Sequence, residues 1–85
     1  MSNFLGLDGF PRLKEDDHKI SQNVHALFKT PNGRAVLTYL RSITIEAVTG
    51  AGASDAELRH LEGQRFLVGL IERRMKHGEK VKSNE

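Results

Sequence analysis

An all-α, three-helix domain is what this sequence predicts, and three local observations carry that reading. Ile20, Val24, Leu27 and Phe28 fall at i, i+4, i+7 and i+8, one face of a helix. Thr30 and Pro31 then end that helix and begin another. The threonine hydroxyl is a good N-cap, and the proline suits the first helical position, where its missing N–H costs nothing. The same proline pushes Thr30 out of the α region, so a helix arriving from upstream must stop there. Finally, Ser54 and Glu57 have the spacing of a capping box ahead of a long third segment.

The elements follow in order. Residues 1–14 read as an irregular arm, broken by Gly6, Gly9 and Pro11 but carrying Phe4, Leu5, Leu7, Phe10 and Leu13. Such an arm either lies across its own core or docks on a neighbouring chain. The first helix runs from about Glu15 to Lys29, with Glu15, Asp16 and Asp17 at the positive end of its dipole. The second runs from Pro31 to about Val48, its stripe formed by Val36, Leu40, Ile43 and Ala47 and broadened by Leu37 and Tyr39. Ile43, Thr44 and Ile45 are β-branched, but continuity with a well-capped start favours helix. Residues 49–54 form a loop. The third helix continues to about His77, with Gly78 as its C′ residue and a polar tail over 79–85. The domain proper is thus 15–78.

Within the third helix, Phe66 to Ile71 is apolar nearly all the way round. A helix of that kind needs cover on more than one side, and two short helices supply only part of it. Phe66, Leu67, Leu70 and Ile71, with Phe4, Leu5, Leu7 and Phe10 of the arm, are therefore the candidate partner contacts. Three glycines inside predicted helices, Gly33, Gly63 and Gly69, each cost up to about 1 kcal/mol relative to alanine, which close backbone approach would offset. Gly33 and Gly63 are placed at a tight crossing of helices two and three, and Gly69 towards a neighbouring subunit. Arg34 and Arg65 then pair with acids or carbonyls at that crossing, Glu62 first among them.

Composition narrows the function classes. The 85 residues make one domain, and a chain of this size buries only roughly 60–65% of its unfolded surface, so partners often supplement the core. There is no cysteine, which excludes disulfides and thiolate metal sites. No apolar run approaches the ~20 residues of a membrane span, and the first residues lack a signal-peptide pattern. The net charge of +2 permits nucleic-acid contact without arguing for it.

Candidate chemistry is sparse. Glu15 with His18, and Glu57 with His60, have the Glu-x-x-His spacing of carboxylate-bridged metal bundles. Both pairs lie near helix starts, Glu57 already serves as a cap, and Glu46 is the only mid-helix candidate for a bridging carboxylate. Solvated helix faces explain them better. No serine sits in a nucleophile elbow, and the GAGAS run neither follows a strand nor carries a P-loop lysine. Neither catalysis nor a cofactor is expected. The basic cluster Arg73, Arg74, Lys76, Lys80 and Lys82 suits either phosphate contact or simple complementation of the helix dipole. Glu72 and Glu79 dilute it, and the Thr30–Pro31 turn is shorter than a helix-turn-helix connection.

The run Phe28-x-Thr30-Pro31-x-Gly33-Arg34-x-Val36-Leu37-x-x-Leu40-Arg41, followed by Glu62-Gly63-x-Arg65, resembles a family of small phage structural proteins whose namesake comes from a Bordetella short-tailed phage. The resemblance covers about Val24 to Met75. The chain departs from it with Gln64 in place of a second arginine and with an uncharged, glycine-rich loop. The resemblance implies a non-enzymatic virion component of a tailed phage, encoded among head and portal genes. On that reading the chain is a multi-copy protein at or near the portal or head–tail junction: a connector, internal core or DNA-delivery component. Its partners are portal or neighbouring head and tail proteins, further copies in a homo-oligomer or symmetric ring, and packaged DNA as a further contact. It is found in the virion, and in the host cytoplasm during assembly. The alternative is a small nucleic-acid-binding regulatory protein using the basic end of helix three.

Overall fold

The computed structural model describes residues 4–82, without the side chain of Lys82. The rest of the arm (1–3) and of the polar tail (83–85) lies outside the described residues. The described residues form three helices, α1 (Lys14–Phe28), α2 (Pro31–Ser42) and α3 (Asp55–Lys82). It is all-α. The nearest thing to a strand among the described residues is an isolated antiparallel bridge between Leu5 and Pro11.

That bridge belongs to the arm, which is a tight turn and not an irregular strap. Gly6 N donates to Phe10 O at 2.8 Å, Gly9 N to Gly6 O at 2.9 Å and Arg12 N to Phe4 O at 3.1 Å. Asp8 accepts from Phe10 N at 3.0 Å, a side chain standing in for a backbone turn. Gly9 has φ of +84°, the left-handed region that glycine enters without steric cost. The arm therefore docks on its own core, through polar groups described below.

The corner between α1 and α2 forms as its residues require. Thr30 Oγ1 accepts from Gly33 N at 3.0 Å and donates to Leu27 O at 2.9 Å. One side chain thus serves a free N–H of α2 and a free carbonyl of α1. Gly33 sits against Leu27 and Phe28, so closely that a Cβ there would run into the Leu27 carbonyl. The crossing expected between Gly33 and Gly63 is not made: a Cβ on Gly63 would meet open space. The corner joins the start of α2 to the end of α1, and α2 touches α3 only lightly.

α2 also stops early, at Ser42 and not near Val48. Thr44 N and Glu46 N both turn back to Arg41 O, at 3.2 and 3.0 Å, and Thr44 Oγ1 donates to Leu40 O at 2.6 Å. The β-branched run that argued locally against a helix does end it. The inward stripe is Gly33, Leu37 and Thr44, one residue round from the expected one, which leaves Val36, Tyr39 and Ile43 exposed.

α3 runs five residues past its expected end at His77, to Lys82. Gly78 lies inside the helix, where the backbone of Ser21 and the Cβ of His25 occupy the space a side chain would need. This is the close approach that sequence reasoning sought at Gly63 and Gly69, both of which face open space. α1 packs chiefly on α3. Its buried residues are Asp17 and Ser21, while Leu27 of the expected apolar stripe is largely exposed. A glycine on one helix admits only a small partner on the other, so the contact is polar and close instead of apolar and wide.

The result is a thin plate of 49 × 34 × 13 Å with a radius of gyration of 15.3 Å. A compact domain of this length has about 12 Å. No helix among the described residues is long and apolar enough to cross a membrane.

Candidate functional site

The most deeply buried side chains form a polar clasp. Arg74 reaches from α3 to α1, where its Nη1 donates to Asp17 O at 3.0 Å and Ser21 Oγ at 2.9 Å. Its Nη2 lies 2.7 Å from Asp17 Oδ1 and 3.5 Å from Asp8 Oδ2. These are charge contacts without an aligned N–H···O bond, so the pairing is electrostatic more than directional. Arg12 closes the other side, its Nη2 2.6 Å from Asp8 Oδ2. Leu7 N points at the Asp17 carboxylate, 3.3 Å from Oδ1. Arm, α1 and α3 therefore meet on two carboxylates and two guanidiniums.

The clasp sets the ionisation of its members. The hydrogen bond from Arg12 holds the Asp8 carboxyl down to about 2, helped by Phe10 N. Burial pushes Asp17 up, but Arg74 outweighs it and leaves the group below its ordinary value. His77 is lowered by burial and then by His18, whose ring meets it edge-on at 5.1 Å. Ser21 Oγ accepts from Arg74 and lies 2.8 Å from His77 Nδ1. A hydroxyl that accepts from a guanidinium keeps its own proton to give, which suits a neutral imidazole.

Arg74 consequently leaves the candidate phosphate-binding cluster: it is 4% exposed and committed to carboxylates. Arg73, Lys76 and Lys80 remain exposed on α3, and the Lys82 side chain lies outside the described residues. Of the Glu-x-x-His pairs, Glu57 is engaged by Ser54: each backbone N donates to the other's side chain, at 2.8 and 3.1 Å. Among the described residues no three His, Asp or Glu side chains gather as a metal site.

A second arginine closes the far end of the molecule. Arg65 Nε donates to Thr44 O at 2.9 Å and Nη2 to Ala47 O at 2.7 Å, while Nη1 pairs with Glu62 at 2.9 Å. The fork reaches two carbonyls beyond the end of α2, of which Thr44 O also accepts from Ala47 N at 3.2 Å. The pairing of Arg65 with Glu62 and with carbonyls thus occurs, at the α2 exit and away from any glycine crossing. Arg34 lies exposed on α2, its N donating to Thr30 O at 2.9 Å.

The apolar candidates divide. Leu5, Phe10, Phe66 and Leu67 are about three-fifths exposed, whereas Phe4, Leu7, Leu70 and Ile71 are half-buried. Between α2 and α3 opens a groove of about 400 Å³ lined by Leu37, Arg41, Glu72, Met75 and Lys76. Arg41 Nη1 and Glu72 Oε2, 2.6 Å apart, bridge the two helices there. Neither the clasp nor the groove was apparent in the sequence. The one usable signal was Gly78, followed by Glu79, Lys80, Val81 and Lys82, four residues with no reason to end a helix.

A family model described as Bbp19-like phage protein matches residues 24–83. No curated protein and no solved structure matches the chain. The matched span takes in the corner, α2, the Arg65 fork and α3, so the chain belongs to the Bbp19-like phage protein family.

Proposed function

We propose that this member of the Bbp19-like family is a non-enzymatic structural component of a tailed-phage virion, present in multiple copies and working by protein–protein contact. One observation carries the reading: among the described residues far more large apolar side chains are exposed than are buried. Among the described residues the buried hydrophobic side chains are Leu37, Val68 and Val81, while eleven large ones are exposed, Val48 at 94%. The accessible surface is 6237 Å². A compact monomer of 9.5 kDa has roughly 5,000 Å². Large apolar side chains exposed in that number suit a protein that is covered by partners.

A station at or near the portal or head–tail junction, as connector, internal core or DNA-delivery component, follows from the resemblance and fits a plate-shaped subunit. Portal or neighbouring head and tail proteins, with further copies of the chain, are the partners this reading names. The regulatory, nucleic-acid-binding alternative loses its best-placed arginine to the clasp. Mass spectrometry of purified particles tests the proposal, with the protein expected at a fixed multiple of the portal subunit. Absence from the particle overturns it. At the level of contacts, Phe66→Glu with Leu67→Glu is expected to abolish association in sedimentation experiments while leaving the helical circular dichroism unchanged.

A further inference from the structure

We propose that the α1–α3 seam is an acid-operated latch: protonation of His77 lets α1 and the arm swing away from α3 while α2 stays attached. His18, Ser21 and His25 fall at i, i+3 and i+7 on α1, one face of that helix. Against them α3 sets Arg74, His77 and Gly78. Arg74 and His77 meet Ser21, the His77 ring meets His18, and Gly78 lies against Ser21 and the Cβ of His25. Three of the chain's four histidines thus line the contact that joins α1 to α3.

The hydrogen bonds across the seam run in one direction. Arg74 Nη1 donates to Ser21 Oγ at 2.9 Å, which leaves the Ser21 hydroxyl to donate to His77 Nδ1 at 2.8 Å. A charged imidazole carries a proton on both nitrogens, so Nδ1 can no longer accept. Ser21 Oγ then faces two cationic donors, and its own proton loses its acceptor. Asp17 O, one turn back on α1, already accepts from Arg74 Nη1 at 3.0 Å. Ser21 is 0% exposed, so water does not reach the hydroxyl to make good the loss.

The charges around the ring act in the same sense. Burial disfavours a cation at His77 most, and His18 on α1 with Arg74 and Lys80 on α3 disfavour it further. Asp17 on α1 favours one, but it is paired with Arg74 at 2.7 Å. From the arm, Asp8 and Arg12 pair with each other, and Asp8 Oδ2 reaches Arg74 at 3.5 Å. Opening the seam returns the ring to water, where it takes up a proton below about pH 6.5. Protons therefore bind the open form better and shift the population towards it as pH falls from there. The clasp carboxylates act at lower pH, Asp8 being held down to about 2 and Asp17 below its ordinary value. α2 is tied to α3 by other groups than histidine, through Arg41 with Glu72, and residues 44–47 through the Arg65 fork.

The test reads two distances by pulsed dipolar spectroscopy. Spin labels on Lys19→Cys with Glu79→Cys, both exposed positions, report α1 against α3, and labels on Thr38→Cys with Glu79→Cys report α2 against α3. The labelled chain is diluted in excess unlabelled chain, so that only distances within one copy are read. Between pH 7 and 5 the first pair is expected to gain a second, longer distance, growing by roughly tenfold in relative population, while the second pair keeps one. His77→Gln, neutral at both pH values, should hold its pH 7 distribution throughout. In the unmodified chain the NMR ring signals of His77 should titrate in step with the opening. A first pair unchanged at pH 5, both pairs broadening together, an equal response in His77→Gln, or opening while His77 is still neutral overturns the latch.

Discussion

Arg74 holds together three parts of the chain that are far apart in sequence, and its loss should show what the clasp is worth. Removing one partner of a buried ion pair leaves the other uncompensated, at a cost of roughly 3–5 kcal/mol. Arg74→Met is therefore expected to lower the urea midpoint sharply, with most of the loss regained when Asp17→Leu is added. The same residues set the acid response. Asp8 and Asp17 have folded-state values below their ordinary ones, so their contribution is whole above about pH 4 and is lost as pH falls through the folded values, to about 2 for Asp8. His77, lowered in the folded state, adds a second limb of the same sign. Unfolding releases it to take up a proton below its ordinary ~6.5, so stability declines from that pH downward. His77→Gln should flatten the melting temperature between pH 7 and 5 and leave the limb below pH 4 in place. None of this was legible in the sequence. Asp17 reads there as one of three acids complementing a helix dipole, and Arg74 as one of five basic residues, because burial is decided by a partner 57 positions away.

At the scale of elements, glycine separates two kinds of position that look alike in sequence. Gly63→Ala adds a methyl group in open space within a helix and should stabilise by up to about 1 kcal/mol. Gly78→Ala drives its methyl into the Ser21 carbonyl and should destabilise by about 1–3 kcal/mol or more as α1 is pushed off α3. Thermal melts of the two variants at one protein concentration decide the matter, since they should move in opposite directions. The caps were legible in advance, Thr30 with Pro31 and Ser54 with Glu57, because a cap is built from neighbours within three or four residues. The ends of α2 and α3 were not. Arg65 stabilises an early exit from α2 with carbonyl contacts 18 and 21 residues away, and α1 turns a glycine that resembles a stop into a contact point.

For the whole molecule, the deciding property is thinness. A plate 13 Å thick is one helix deep, so few side chains can be far from water whatever their chemistry. The sequence hinted at this through the all-round apolar run Phe66 to Ile71, which two short helices cannot cover. In the fold only Val68 of that run is buried. The three-helix class could be inferred. The groove could not, since Leu37 and Arg41 meet Glu72 and Met75 only after α2 has folded back beside α3. Association should accordingly add to measured stability, with the melting temperature rising as protein concentration is raised.

The clasp also bears on the order in which the chain matures. Its two halves, Asp17 with Ser21 and Arg74 with His77, are separated by nearly the whole domain, so the link closes only after most of α3 has been synthesised. At ~5–20 residues per second the ribosome leaves α1 waiting for several seconds. During that interval the side chains α1 will bury most deeply are an aspartate and a serine, which water solvates well. A helix that waits with a polar contact face is a poor nucleus for aggregation, and the α1–α3 contact through which the arm is held forms last.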